Sequence, residues 1–220
     1  TGPIGILNHT QKNAEDRLQD NPDGLNWLLP QLDGKPAGQK PALRTWETAN
    51  PLPARGFHGA WSEGRAEYRS PPLTVECRVR LPRRDDYNIL VASDTKQSGA
   101  HWEIFTVKGS GLLTAYLPGM KPDHVRSEEM ICDNRPHVVA MIYEPERVRL
   151  LLDGRTVADE KVESTGRPTV PGALGIGRLV EGGLTDGGLG CSGSITWVRV
   201  SCGVRDKLMS DPNSKTGPVH

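Results

Sequence analysis

The sequence predicts an all-β protein, a sandwich, jelly roll or barrel, and three observations carry that prediction. Residues 73–81, LTVECRVRL, alternate strictly: Leu73, Val75, Cys77, Val79 and Leu81 are apolar, and Thr74, Glu76, Arg78 and Arg80 are polar. A period of two marks a half-buried strand with its apolar side inward. Residues 136–159, PHVVAMIYEPERVRLLLDGRTVAD, hold two strand-length apolar runs separated by EPER, with Asp153-Gly154 after the second. Such runs read as consecutive antiparallel strands, closed by a tight Asp-Gly turn from which residues 156–158 begin a return strand. The third observation is punctuation, 25 Gly and 18 Pro in 220 residues, which favours many short strands over long helices.

An apolar ribbon of two strands is not stable alone in water, so the rest of the chain has to supply a sheet for it. Residues 1–54 carry Pro3, Pro22, Pro30, Pro36, Pro41, Pro51 and Pro53 with little periodicity. They are expected to form an irregular arm packed on the main domain. Within the arm, NAEDRLQ is a candidate short helix capped by Asn13, with Glu15 and Asp16 in its first turn. LNWLLPQLDG reads as an arm segment or a second short helix, and Trp27, Trp46 and Trp61 as its anchors.

From residue 55 to 207 the pattern is strands. After 73–81 come a turn at PRRDD, a strand at YNILVAS, a polar loop at DTKQSG, a strand at HWEIFTV, a turn at KGSG and a strand at LLTAYL. Residues 118–136 read as a long connection to the ribbon. A short strand at ALGIG lies in a Gly-rich stretch, SGSITWVRVSC closes the system, and 208–220 is expected to be a frayed tail. Roughly nine or ten strands result, with no internal repeat to signal a propeller or solenoid. In the ribbon, Val138, Ala140, Ile142, Val148, Leu150 and Leu152 are the expected inward-facing residues.

Lys+Arg and Asp+Glu are both 27, a formal net charge of +0. That balance leaves no basic footprint for nucleic acid and no polybasic membrane anchor. No apolar stretch approaches the roughly 18–20 residues that span a bilayer, so the sequence reads as soluble. Cys77, Cys132, Cys191 and Cys202 allow three pairings and match no zinc-site spacing. Cys77 lies on the apolar face of its strand and is expected to act as a small buried hydrophobe. Cys191 and Cys202 flank a strand whose length, at about 3.3 Å per residue, keeps them from bridging. The chain opens with TGPIGILNH, without Met or a signal-peptide pattern, which leaves secretion undecided. Asn8-His9-Thr10 is a glycosylation sequon only in a eukaryotic secreted protein.

The order of features over about residues 55–205 resembles the laminin-G-like, or concanavalin A-like lectin/glucanase, domains. The resemblance rests on GRAEYRSPPLTVECRVRL, GAHWEIFTV with its Gly turn and LLTAYL, RPHVVAMIYEPERVRLLLDGRTV, ALGIG and GSITWVRVS. The family's closing strand often carries Asp where this chain has Thr196, and residues 1–54 fall outside the pattern. The resemblance implies a two-sheet antiparallel jelly roll, commonly extracellular, that binds glycans or proteins and sometimes uses Ca²⁺. Asp94, Asp153 and Asp186 are the residues that could offer oxygen ligands to such an ion.

The strand GAHWEIFTV holds the richest chemistry. Alternation puts His101, Glu103 and Phe105 on one face and Trp102, Ile104 and Thr106 on the other. An aromatic platform beside a carboxylate and an imidazole suits a sugar, whose CH faces stack on rings while its hydroxyls pair with polar groups. The bland alternative is Trp102 and Ile104 in the core with His101 and Glu103 solvated. Tyr116 is placed to face the same groove as Glu103, or to be buried. His124, Arg126, Glu128 and Glu129 lie in the long connection, where binding groups are common and solvated charge is commoner still. Trp102, His101, Glu103, Tyr116, His124 and Arg126 are therefore the expected ligand contacts.

Enzyme signatures are sparse. The E-x-D-x-x-E strand of glycanases with this architecture is absent, as are the lyase-type R-x-E-x-R and Q-x-H patterns. So are G-x-S-x-G, H-E-x-x-H and a P-loop. The expected function is a non-catalytic recognition module for polysaccharide or glycan, secreted, periplasmic or at the cell surface. The alternatives are a glycoside hydrolase or polysaccharide lyase acting through Glu103 or His124 with Tyr116 or Arg126, and a structural or protein-docking domain of a larger polypeptide.

Overall fold

The computed structural model describes residues 29–36, 46–47, 60–180, 189–205 and 208. Two six-stranded antiparallel sheets dominate it. The first is ordered β1 (Trp46–Glu47), β14 (Ser194–Cys202), β3 (Leu73–Arg80), β9 (Pro136–Glu144), β10 (Arg147–Leu152) and β11 (Arg155–Lys161). The second is ordered β2 (Ala60–Ser62), β13 (Leu174–Ile176), β4 (Asn88–Ser93), β5 (Trp102–Thr106), β6 (Leu112–Tyr116) and β8 (His124–Met130). A two-stranded ribbon pairs β7 (Met120–Lys121) with β12 (Glu163–Ser164). This is a jelly-roll sandwich, and several strands exceed the expected count because two- and three-residue pairings leave no periodic signal.

The sheets meet through one apolar core. Val75, Cys77, Met141 and Leu150 come from the first sheet, and Trp102, Ile104, Leu113 and Val125 from the second. The strict alternation of 73–81 puts its odd-numbered residues there, as expected. Asp153 and Gly154 close the β10–β11 hairpin at φ +50° and +82°. Two successive left-handed residues match the strand twist and explain why the turn is Asp-Gly.

Three expectations change. First, β9 presents Val139, Met141 and Tyr143 to the intersheet core, while Ala140 and Ile142 lie on the outer face with Leu151, and Val138 is only half buried. Residues 138–143 are apolar on both faces, so their own pattern does not choose a side. Pairing of Val75 with Met141 and of Cys77 with Val139 chooses it. The expected inward set for β10, Val148, Leu150 and Leu152, holds. Second, the stretch read as a long connection contains strand β8, whose inner positions Val125 and Ser127 are buried between exposed Arg126 and Glu128. Third, residues before the Pro71-Pro72 step form a short 3-10 helix, Ala66–Arg69, rather than a strand.

Of the expected arm, only residues 29–36 and 46–47 are described, and the expected helix at 13–19, Trp27 and nearly all of the tail lie outside the described residues. Trp46 pairs with Val198 and Glu47 with Trp197 at the edge of the first sheet.

Arg69, the last residue of the 3-10 helix, reaches the end of β4. Its Nε donates to both carboxylate oxygens of Asp94 at 2.9 Å, and Nη2 donates to the Gly172 carbonyl at 2.9 Å. Asp94 is fully buried, and removing one partner of such a pair strands a charge in the interior. Arg69→Met should therefore cost about 3–5 kcal/mol of unfolding free energy in urea denaturation. A loss under about 1 kcal/mol, the level of an exposed pair, would contradict this role.

Candidate functional site

The outer face of the second sheet carries one hydrogen-bonded row across all six strands. Trp61 pairs with Gly175, Gly175 with Ala92, Ala92 with Glu103, Glu103 with Tyr116 and Tyr116 with His124. Directly paired residues share a face, so these six point the same way. The row is not open along its length. Arg178 and Gly190 form an isolated antiparallel bridge, and Leu179 and Leu189 beside them pack against the Ile89, Ala92 and Phe105 cluster. A Cβ on Gly175 would lie 2.5 Å from the Arg178 carbonyl oxygen, so glycine is what lets this strap lie down. At the far end the Arg178 guanidinium stacks 3.7 Å from the Trp61 ring centre.

The other half of the row remains open as a groove of about 380 Å³, lined by Tyr87, Ile89, Lys96, Glu103, Phe105, Tyr116, Asp123, His124 and Leu189. Its wall is aromatic. Tyr116 and His124 rings lie 4.6 Å apart, Phe105 meets His124 edge-on at 6.3 Å, and Tyr87 tilts against Phe105 at 6.1 Å. Asp123 fixes His124 by accepting from Nδ1 at 2.8 Å.

Glu103 is the floor, 2% exposed. Lys96 Nζ lies 3.2 Å from Glu103 Oε1 and 5.5 Å from the Tyr116 ring centre. The loop that brings Lys96 in is pinned by Arg167 Nε donating to the Gln97 carbonyl at 3.0 Å, and by Ser98 N–H donating to the Thr95 carbonyl at 2.9 Å. Beneath the groove, His101 Nδ1 is 3.2 Å from the Asp94 carbonyl. A carbonyl only accepts, so Nδ1 carries the proton. The other nitrogen, Nε2, then stands 3.6 Å from Glu103 Oε2, and neither atom makes a hydrogen bond. A buried carboxylate oxygen without a donor is unfavourable, and this one lies on the His101 side of the floor, out of reach of solvent.

Four of the expected contacts thus meet: Glu103, Tyr116 and His124 line the groove and His101 supports its floor. Neither His101 nor Glu103 is solvated, contrary to the bland expectation. Trp102 does not join them. It is fully buried between the sheets and donates from Nε1 to the Tyr68 carbonyl at 2.7 Å, because alternation turns it away from Glu103. Arg126 is exposed on the same outward face of β8 as His124 but does not line the groove. Sequence reasoning passed over Phe105, although its parity with Glu103 was visible. It also passed over Tyr87, Lys96, Asp123 and Leu189, which only strand register brings together.

The described residues contain no group of three or more His, Cys, Asp or Glu side chains able to hold a metal ion. Asp94 is committed to Arg69, Asp153 accepts from Val138 N–H and His137 at 2.8 Å each, and Asp186 lies outside the described residues. Burial pushes the Cys77 thiol far up and the Cys191 thiol up to about 11 from an ordinary 9.0. Burial also raises Cys132. All four cysteines are free and buried, a poor setting for thiolate chemistry. No helix among the described residues is long and apolar enough to cross a membrane.

No family model matches the chain, and no curated protein sequence does. Solved structures do match. The leech intramolecular trans-sialidase superposes with TM-score 0.52 at 11% identity over 79% of this chain and 27% of its own. The fold is the laminin-G-like, concanavalin A-like jelly roll. The carbohydrate-binding module of the Ruminococcus gnavus trans-sialidase gives 0.48 at 12% identity, over 72% of this chain and 95% of its own. Mouse laminin α1 domains LG4-5 give 0.45 at 10%, over 74% and 41%. Identities this low extend to the fold and no further.

With Trp102 in the core of this jelly roll, Trp102→Phe should lower stability by about 2–4 kcal/mol through lost volume and an unpaired Tyr68 carbonyl. Ligand affinity, measured on the folded variant, should change less than about twofold. A selective loss of binding would return Trp102 to the site.

Proposed function

We propose that this chain is a non-catalytic carbohydrate-recognition module whose ligand lies in the Glu103–Tyr116–His124 groove. The observation that carries the proposal is the pairing of an aromatic wall with the Lys96–Glu103 ion pair at its floor. Rings offer faces to sugar CH groups, and a fixed ammonium–carboxylate pair offers polar partners to hydroxyls. The groove's two carboxylates support binding over catalysis, since Lys96 holds Glu103 and Asp123 holds the His124 ring. The jelly-roll scaffold supports the same reading, under which the protein works where polysaccharides are met, outside the cytoplasm.

A glycan array followed by calorimetry tests this. Wild-type protein should bind at least one glycan. Tyr116→Ala, at a half-buried ring, should weaken that binding at least tenfold, about 1.4 kcal/mol, with little change in melting temperature. Absence of binding across the array, or unchanged affinity in Tyr116→Ala, would remove the basis of the proposal. Release of reducing ends or unsaturated products from the bound glycan, lost in Glu103→Gln, would show instead that the groove is catalytic.

A further inference from the structure

The charges of the groove bear on the class of glycan it takes, an inference that rests on the carbohydrate reading above. Its charged lining residues are Lys96, Glu103 and Asp123. The cation is already committed, with Lys96 Nζ 3.2 Å from Glu103 Oε1 and over the Tyr116 ring. An anionic sugar has two ways to enter, and each is unfavourable. If it draws Lys96 to itself, it leaves Glu103 buried without its counter-charge, the costly half of a broken buried pair. If it leaves Lys96 in place, its carboxylate or sulfate meets Glu103 and Asp123, and like charges at close range repel.

A neutral hydroxyl escapes both. It brings no charge to meet the carboxylates of Glu103 and Asp123 that line the groove. Its oxygen remains able to accept from the Lys96 ammonium. The hydroxyl thus leaves the existing Lys96–Glu103 pair intact, where an anion would dismantle it. We propose that the groove selects uncharged, hydroxyl-rich glycans and rejects uronate-, sialate- and sulfate-bearing ones, with Glu103 as the discriminating residue and Lys96 as its internal counter-ion.

Affinity electrophoresis at about 0.15 M salt, where exposed charges are largely screened, separates the cases. Neutral gels would contain laminarin, xyloglucan, galactomannan, xylan or dextran, and anionic gels pectate, alginate, hyaluronan, heparin or polysialic acid. Wild-type protein should be retarded by at least one neutral polysaccharide, and at least about tenfold more weakly by every anionic one. Glu103→Gln removes the repelling charge and releases Lys96, so retardation by anionic polysaccharides should rise at least about tenfold. Should Glu103→Gln fail to fold, Lys96→Met at a half-buried side chain replaces it. That variant should lose neutral retardation several-fold and gain no anionic retardation.

Equal or stronger retention of the wild type by an anionic polysaccharide would overturn the selectivity while leaving carbohydrate recognition standing. So would a Glu103→Gln profile identical to the wild type. Retention by none of the gels would overturn both the selectivity and the reading beneath it.

Discussion

Asp94 buries a carboxylate at the end of β4, on a residue at φ +61° with no exposed surface. A charge so placed has to be paired and hydrogen-bonded. Arg69 supplies the pair and the Gly172 N–H a further donor at 2.7 Å, so three segments remote in sequence are held at one point. The same residue's carbonyl receives His101 Nδ1, and its N–H donates to the Ala173 carbonyl at 2.9 Å. The orientation of His101, and through it the face that Glu103 meets beneath the groove, follows from how Asp94 is satisfied. The site is built on an electrostatic requirement of the fold.

The two outer faces of the sandwich differ in what covers them. On the first sheet, Glu76 is fully buried and held by Arg199 at 2.6 and 2.7 Å. Ala140, Ile142 and Leu151 there pack with Val204 and Leu208. That face is closed by its own polar pairing and by the chain following β14. On the second sheet the strap at Arg178 and Gly190 covers only the Gly175–Ala92 half of the row. The uncovered half is where aromatic rings and an incompletely bonded carboxylate coincide. That half-face is where the proposed ligand is placed.

Much of this was legible from the residues. The strands at 73–81 and 147–161 announce themselves because one face is apolar and the other polar, and the Asp-Gly turn because few residues accept two left-handed positions. The face of β9 was not legible, since Val138 to Tyr143 are apolar on both sides and only pairing with β3 chooses between them. Strand β8 was hidden because its outward residues are His, Arg and Glu and its inner positions include Ser127. For the site, parity along GAHWEIFTV put His101 and Glu103 on one face and Trp102 on the other, and naming Trp102 with them went against that parity, since a large aromatic serves a core as well as a sugar. Lys96, Asp123, Tyr87 and Leu189 reach the groove through loops and cross-strand register, which no local pattern encodes.

The claim at the centre is that the open half of the second sheet's outer face is the recognition surface. Two-dimensional ¹⁵N–¹H spectra, recorded while a laminarin- or xyloglucan-derived oligosaccharide retained by the protein is added, test it residue by residue. The account predicts that amide shifts concentrate at Lys96, Glu103, Tyr116 and His124 and fade toward Trp61 beyond the strap. Shifts confined to β9, β10 and β11 of the first sheet, with the β5, β6 and β8 amides unmoved, would contradict it.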